Sequence, residues 1–177
     1  MSNVVFLKQY QAYNIDALNR TAKCDEDIDN GCVFVLNEQS TQDGESMVWI
    51  AEKPSATSTD VWMATSPEVV ITKDAMGNEY KGITVDPRAF VNHAGRIIDA
   101  TKLVAGDLVE MTGAGITGIE ETANIYLVPS DSYTLVASPS AGTGFYLKKI
   151  GVGKLHIGTG SLVKEPVTSY KFECKNN

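Results

Sequence analysis

The sequence lacks any apolar run of about eighteen residues, the length that a membrane-spanning helix needs. Its opening residues, Met1 to Val5, lack the positive charge and the apolar core of a secretory signal. Cysteine is scarce as well: Cys24, Cys32 and Cys174 are an odd number at wide spacing, which excludes a disulfide framework and a Cys-x-x-Cys zinc clamp. We therefore expect a protein that folds in a cytoplasm, has no membrane partner and carries its cysteines as buried free thiols.

The sequence also lacks a cluster of basic residues. Its 15 Lys and Arg are outnumbered by 22 Asp and Glu, giving a net charge of −7, and the acidic excess lies in the N-terminal half. Residues 24–60 contain nine acidic side chains and a single basic one, Lys53. A nucleic-acid-binding protein needs clustered Lys and Arg to neutralise phosphates. The charge pattern therefore predicts that the protein has no nucleic-acid partner.

Residue patterns for catalysis or cofactor binding are missing too. Neither histidine, His93 nor His156, lies in a nucleophile motif or at a meaningful spacing from a cysteine. Residues 113–118 match Gly-x-Gly-x-x-Gly, but a strand-like run follows where a dinucleotide-binding fold requires a helix. Residues 25–31 are acidic, yet Leu36 stands where a calcium loop needs glutamate, which leaves a divalent-cation site of another kind as a minor alternative. We expect no enzymatic activity, no cofactor and no bound metal.

Short apolar runs rich in β-branched and aromatic residues fill most of the chain, and turn-forming residues separate them. The pattern predicts a mainly β protein, a β-barrel or β-sandwich of about ten short strands with one or two short helical turns. The helical turns are expected at 14–22 and 87–92, the second with Asp86 as its N-cap. The expected strands are 33–36, 47–51, 61–64, 69–72, 108–111, 125–128, 134–137, 145–147, 154–157 and 170–174.

The order of motifs between residues 61 and 112 is more specific than any single motif. An apolar strand leads into residues 66–68 (Ser-Pro-Glu), and a polar loop follows at 86–95 (Asp-Pro-Arg-Ala-Phe-Val-Asn-His-Ala-Gly). Residues 102–107 (Lys-Leu-Val-Ala-Gly-Asp) then precede another apolar strand, and residues 22–36 combine an acidic stretch, Asn-Gly and a strand. This order resembles the head decoration, or cement, proteins of tailed bacteriophages, which are encoded beside the major capsid protein. The resemblance covers about half to two thirds of the chain.

The resemblance implies a structural virion protein that binds the outer surface of the capsid and stabilises the head lattice. Its expected partner is the major capsid protein, and it is expected to be a homo-oligomer, a trimer by analogy. Contacts are expected from the loop 87–96 and from the N-terminal segment 2–13, which is apolar, poor in acidic residues and free to extend onto a neighbour. The expected capsid or subunit contacts are Val4, Phe6, Tyr10, Pro87, Arg88, Phe90, Asn92, His93 and Arg96.

Two features of organisation remain to be placed. We predict a capsid-docking β domain over 1–122 and a C-terminal β extension over 123–177, either separate or part of the same domain. The break between them is expected at the Gly- and Thr-rich stretch 112–124. Trp49 and Trp62 lie in strand-like runs, and the sequence leaves a core role and an interface role open for both.

A second interpretation is a β-sandwich recognition module of a tail or head fibre that binds host-surface carbohydrate. Glycine-rich connections and tyrosines suit it, and glycan binding without affinity for capsids would favour it. A third interpretation is a hydrolase with an unrecognised site, which would need turnover that His93→Ala abolishes.

Overall fold

The computed structural model describes residues 2–9, 15–42, 44–73, 76, 79–83, 87–120, 125–157 and 165–177. Within these residues the chain forms fourteen β-strands and three 3-10 turns, so the protein is mainly β, as the sequence pattern predicts. The turns are Asp16–Leu18, Pro87–Ala89 and Gly113–Gly115. The strands are β1 (Val5–Gln9), β2 (Asn19–Lys23), β3 (Val33–Gln39), β4 (Val48–Glu52), β5 (Val61–Ala64), β6 (Val69–Lys73), β7 (Glu79–Ile83), β8 (Ile97–Thr101), β9 (Leu108–Thr112), β10 (Ile116–Thr117), β11 (Tyr126–Val128), β12 (Leu135–Ser138), β13 (Tyr146–Ile157) and β14 (Glu165–Asn176).

Five strands close into a small barrel in the order β2-β4-β3-β5-β8. β2 and β4 run parallel, and the other neighbouring pairs are antiparallel. Alternate side chains of each strand point inward, and a buried apolar cluster that includes Phe34, Trp62 and Ile98 fills the interior. Cys24 and Cys32 belong to this cluster, and the cysteines of the chain are free and buried, as expected. Burial raises the pKa of Cys32 to about 12, which keeps this thiol protonated at neutral pH.

A seven-stranded sheet lies beside the barrel, in the order β1-β9-β14-β13-β11-β12-β10. Its longest members, β13 and β14, are antiparallel strands of twelve residues each. Two separate strands were expected at 145–147 and 154–157, and that prediction is wrong because β13 runs through both. Pairing with β14 carries the strand across the glycines at 151 and 153, with an irregularity in register between Lys149 and Gly151.

β3 and β5 form a wall that the barrel and the seven-stranded sheet share. Trp62 and Ala64 point into the barrel, whereas Val61 and Met63 pack in a second buried cluster against apolar side chains of the sheet, such as Phe172. All four residues of β5 are therefore buried. This explains why residues 61–64 form a continuous apolar run rather than an alternating one.

Strands from both sides of the expected domain break build the same sheet. The break itself, at 122–123, lies outside the described residues, but β14 pairs with β9 on one side and with β13 on the other. Its Phe172 and Cys174 share one buried cluster with Val33 and Val61 of the barrel wall. The C-terminal strands thus contribute to the core that the N-terminal strands also line.

One local expectation needs correction, and one strand was not predicted. A helical turn or two was expected over 14–22, but only Asp16–Leu18 forms a 3-10 turn, and Asn19–Lys23 is the barrel strand β2. Pairing with β4 and β8 decides this, because tertiary partners outweigh weak local propensity. The expected strand 69–72 is β6, and it pairs with β7, a strand that the sequence pattern did not predict.

Candidate docking surface

Three of the segments that carry the resemblance meet at the side chain of Asn30, which is 6% exposed. Its Nδ2 donates a hydrogen bond to the carbonyl of Ser66 at 2.9 Å, and its Oδ1 accepts one from the Ser66 N–H at 3.1 Å. The same Oδ1 accepts a hydrogen bond from Nδ2 of Asn92, also at 3.1 Å. One buried amide therefore joins the Asn-Gly turn, the segment 66–68 and the loop 87–96.

Gly31, the residue after Asn30, must be glycine for two reasons. Gly31 has a backbone φ of +86°, which residues other than glycine rarely adopt. A Cβ at this position would also lie 2.5 Å from Nδ2 of Asn3 and 2.7 Å from Cγ2 of Val5. The Asn-Gly pair thus makes the turn and leaves room for the N-terminal segment to pack on it.

The N-terminal segment is a fixed part of this network. The N–H of Asn3 donates to Oδ2 of Asp29 at 2.8 Å, and its Nδ2 donates to the carbonyl of Asn30 at 2.9 Å. Oδ1 of Asn3 accepts from Oγ1 of Thr112 at 2.9 Å. The next residues form β1, which pairs with β9 at the edge of the seven-stranded sheet. The expectation that the N-terminal segment is free to extend onto a neighbour is therefore wrong over residues 2–9.

The loop 87–96 lies against the acidic segment that precedes Asn30. Ile28 and Asn92 exchange backbone hydrogen bonds of 2.9 Å each. The N–H of Gly95 donates to the carbonyl of Cys24 at 2.8 Å, and the N–H of Ala94 donates to Oδ1 of Asp27 at 2.8 Å. These bonds leave residues 25–27 and 93–97 exposed side by side. We call this exposed face the loop surface.

The structure places the expected contact residues in different environments. His93 and Arg96 are exposed on the loop surface, and Pro87, Arg88 and Phe90 are half-buried next to it. Val4 and Asn92 are buried within the chain, at 0% and 5% exposure, so their side chains serve the fold. Phe6 lies in β1 opposite Glu110, and Tyr10 and Asp86 lie outside the described residues.

An exposed pair of titratable groups lies on the loop surface. Oδ2 of Asp27 is 3.3 Å from Nδ1 of His93, and both side chains are more than half exposed. The hydrogen bond from the Ala94 N–H lowers the pKa of Asp27 below its ordinary value of 3.8, and the contact with His93 lowers it further. Asp27 therefore anchors the loop mainly as an acceptor for a backbone N–H.

We expect Asp27→Asn to remove an acid-sensitive part of the stability. Because the pKa of Asp27 is lowered on folding, the unfolded chain binds more protons than the folded protein below pH of about 4. The stabilisation from the ionised carboxylate is present above that pH and is lost as the pH falls. Urea unfolding measures the free energy of unfolding, and the difference in this quantity between wild type and variant should shrink as the pH is lowered from about 7 to about 3.

Glu38→Gln is the matched control for this experiment. Glu38 is an exposed carboxylate of β3, and its substitution should leave the acid dependence of unfolding as in the wild type. If the free energies of unfolding of wild type and Asp27→Asn differ by the same amount at neutral and acid pH, the carboxylate charge does not stabilise the loop.

Sequence reasoning missed three residues that define this surface. Asn3 and Asn30 are small polar residues, and only the packing of distant segments buries them. The Asn-Gly pair was the one available signal, and it predicted a turn rather than a hub of hydrogen bonds. Ile97 was also missed; it is 55% exposed at the start of β8, directly after Arg96.

The fold and this surface define an all-β protein with a barrel, a sheet packed on it and a hydrogen-bonded loop surface at one end of the barrel. No protein-family model, curated protein or solved structure matches the chain. In the described part of the chain, no helix is long and apolar enough to cross a membrane. The same residues contain no group of three or more His, Cys, Asp or Glu side chains arranged to hold a metal ion.

Proposed function

We propose that the protein is a structural component of a bacteriophage head that binds the outer surface of the capsid and stabilises its lattice. The observation that carries the proposal is the convergence on Asn30. The Asn-Gly turn, the segment 66–68 and the loop 87–96 are far apart in the sequence, and they are three of the parts that resemble decoration proteins. Hydrogen bonds through one buried side chain join them beside a single exposed face.

The loop surface has properties that suit docking on a protein lattice. Its backbone is fixed by hydrogen bonds to residues 24–28, so little conformational freedom is lost on binding. It combines the exposed apolar side chain of Ile97 with Arg96, and arginine is enriched among residues that dominate binding energy. Modest affinity per copy is sufficient on a capsid, because an oligomer that contacts several lattice positions gains avidity.

In the proposed role the protein resides in the virion, binds protein partners and catalyses no reaction. The protein is made in the host cytoplasm and resides on the outside of the capsid, with the major capsid protein as its partner. It acts as a homo-oligomer, a trimer by analogy with decoration proteins. Binding only to the assembled lattice would stabilise that state by mass action.

The test is co-sedimentation of the purified protein with undecorated mature capsids of its source phage. We expect saturable binding at a stoichiometry that matches lattice positions. Arg96→Glu should weaken binding by about tenfold or more, because it replaces an exposed arginine of the loop surface with a negative charge.

Lys154→Glu is the matched control, since it makes the same change of charge at an exposed position of β13, away from the loop surface. Binding of this variant should stay within about twofold of wild type. Absence of binding to capsids, or equal losses in both variants, would contradict the docking role of the loop surface.

One observation favours the second candidate, a fibre module that binds host-surface carbohydrate. Tyr126 and Tyr146 form an edge-to-face pair with ring centroids 5.8 Å apart, and both are half-buried on the seven-stranded sheet. Half-exposed aromatic rings of this kind can stack on sugars. Glycan binding that Tyr146→Ala abolishes, together with no binding to capsids, would favour this candidate over capsid docking.

A further inference from the structure

The two ends of the barrel differ in how their polar groups are satisfied. β2 and β4 run parallel, so Cys24 and Ala51 mark one end of the barrel while Arg20 and Trp49 mark the other. At the first end, the hydroxyl of Tyr133 lies 3.1 Å from Oδ1 of Asp25 and 3.3 Å from the carbonyl of Ala51. That end, next to the loop surface, is closed by groups of the chain itself.

The opposite end is closed by an arginine that contacts two tryptophans. Ala22 and Ala51 point into the barrel, so Arg20 and Trp49, each two residues earlier on its strand, point the same way. The guanidinium carbon of Arg20 lies 4.3 Å from the ring centroid of Trp49 and 4.9 Å from that of Trp62. We call these three residues the barrel mouth.

The barrel mouth has hydrogen-bond donors without acceptors. Nε1 of Trp62 is buried and has no acceptor among the described residues. Arg20 contacts both tryptophan rings. No carboxylate among the residues that the structure describes pairs with its guanidinium group. A guanidinium group carries five N–H donors, and contact with aromatic faces leaves their in-plane directions open to an acceptor. A positive, donor-rich group thus stands at this end of the barrel.

We propose that the barrel mouth is a second binding site, which takes the carboxylate of an aspartate or glutamate side chain presented by a partner protein. The planar fork of arginine matches a carboxylate with two parallel hydrogen bonds. Tryptophan and arginine are the residues that most often dominate protein interfaces. This site is at the opposite end of the barrel from the loop surface and does not rest on the proposed capsid role.

The surroundings distinguish this ligand from other anions. The protein has a net charge of −7, so it repels nucleic acids and other polyanions more strongly than a ligand with a single negative charge. Arg20 and Trp49 are only half-buried, whereas sites for free small molecules enclose most of the ligand surface. A side chain delivered by a protein brings its own neighbouring contacts and does not need such a pocket.

The test uses the intrinsic fluorescence of the protein, because Trp49 and Trp62 are its two tryptophans and both contact Arg20. The probes are two capped tripeptides, acetyl-Gly-Glu-Gly-amide and its neutral analogue acetyl-Gly-Gln-Gly-amide, titrated at constant ionic strength. We expect a saturable change with the glutamate peptide, with a Kd on the order of 1–10 mM. The glutamine peptide should bind about tenfold more weakly or not at all.

Variants of Arg20 decide whether the response comes from the barrel mouth. Arg20→Met keeps the apolar stem and should abolish the response, while Arg20→Lys keeps the charge but loses the fork and should weaken binding several-fold. Lys154→Met removes an exposed positive charge outside the barrel mouth, and this variant should respond as wild type. Circular dichroism verifies folding, and if Arg20→Met fails to fold, the lysine variant carries the test.

Three results would overturn the proposal. The first is an equal response to the glutamate and glutamine peptides, and the second is a response that both Arg20 variants retain in full. The third is a response to inorganic phosphate as strong as that to the glutamate peptide, which would indicate an unselective anion site. None of these results bears on capsid binding, so the two proposals fail independently.

Discussion

Replacing Asn30 with alanine is expected to lower the free energy of unfolding by about 3–4 kcal/mol, a large part of the stability of a typical domain. The substitution leaves the amide of Asn92, which is 5% exposed, without its acceptor. It also removes both hydrogen bonds to the backbone of Ser66. A buried polar group left unpaired costs about 1–3 kcal/mol, and the half-buried Ser66 recovers part of its loss from water.

Asn30→Asp separates hydrogen bonding from volume. The aspartate has nearly the same size, but it places an oxygen against the carbonyl of Ser66 where Asn30 donates from Nδ2. We expect it to destabilise the protein at least as much as alanine does. Urea unfolding followed by fluorescence measures both variants.

The matched control for this prediction is Asn37→Ala. Asn37 is exposed on β3, where its Nδ2 donates to Oε1 of Glu52 at 3.3 Å. Its loss should change the free energy of unfolding by no more than about 0.5 kcal/mol. Equal effects at positions 30 and 37 would show that the buried network does not hold the loop surface in place.

Gly144→Ala is expected to cost about 3 kcal/mol, for a different reason. A Cβ at this position would overlap the carbonyl oxygen of Ser58 and lie 2.7 Å from that of Thr57. Both are backbone atoms, so no side-chain rotation relieves the overlap. The adjacent hydrogen bond of 2.8 Å from the Phe145 N–H to the Ser58 carbonyl, which attaches the sheet to the loop before β5, would be strained or broken.

Gly151→Ala is the control for Gly144→Ala. Gly151 lies in β13, and the nearest atom to a Cβ there is Cδ of Lys171 at 3.9 Å. The alanine variant should be as stable as wild type or about 0.5 kcal/mol more stable, because alanine reduces the freedom of the unfolded chain. A Gly144→Ala variant that unfolds at the same urea concentration as Gly151→Ala would show that the sheet and the barrel loop separate at little cost.

The sequence pattern predicted strands correctly where short apolar runs become buried or half-buried. The runs at 33–36, 61–64 and 108–111 form β3, β5 and β9, where their apolar and β-branched residues are buried or half-buried. The pattern failed where pairing overrides local preference. The segment 14–22 contributes β2 through its partners in the barrel, and β13 crosses glycines that would otherwise end it.

The sequence by itself determined the class of this protein: a mainly β chain with free buried cysteines and an acidic N-terminal half. Hydrophobic periodicity, turn residues and charge are local quantities, so they can be read without knowing which segments meet. Only the tertiary structure decided that Asn30 joins three distant segments and that Arg20 lies over Trp49 and Trp62. Both arrangements depend on contacts between residues far apart in the chain, and hydrogen bonding and ring contacts of this kind leave no periodic signal in the sequence.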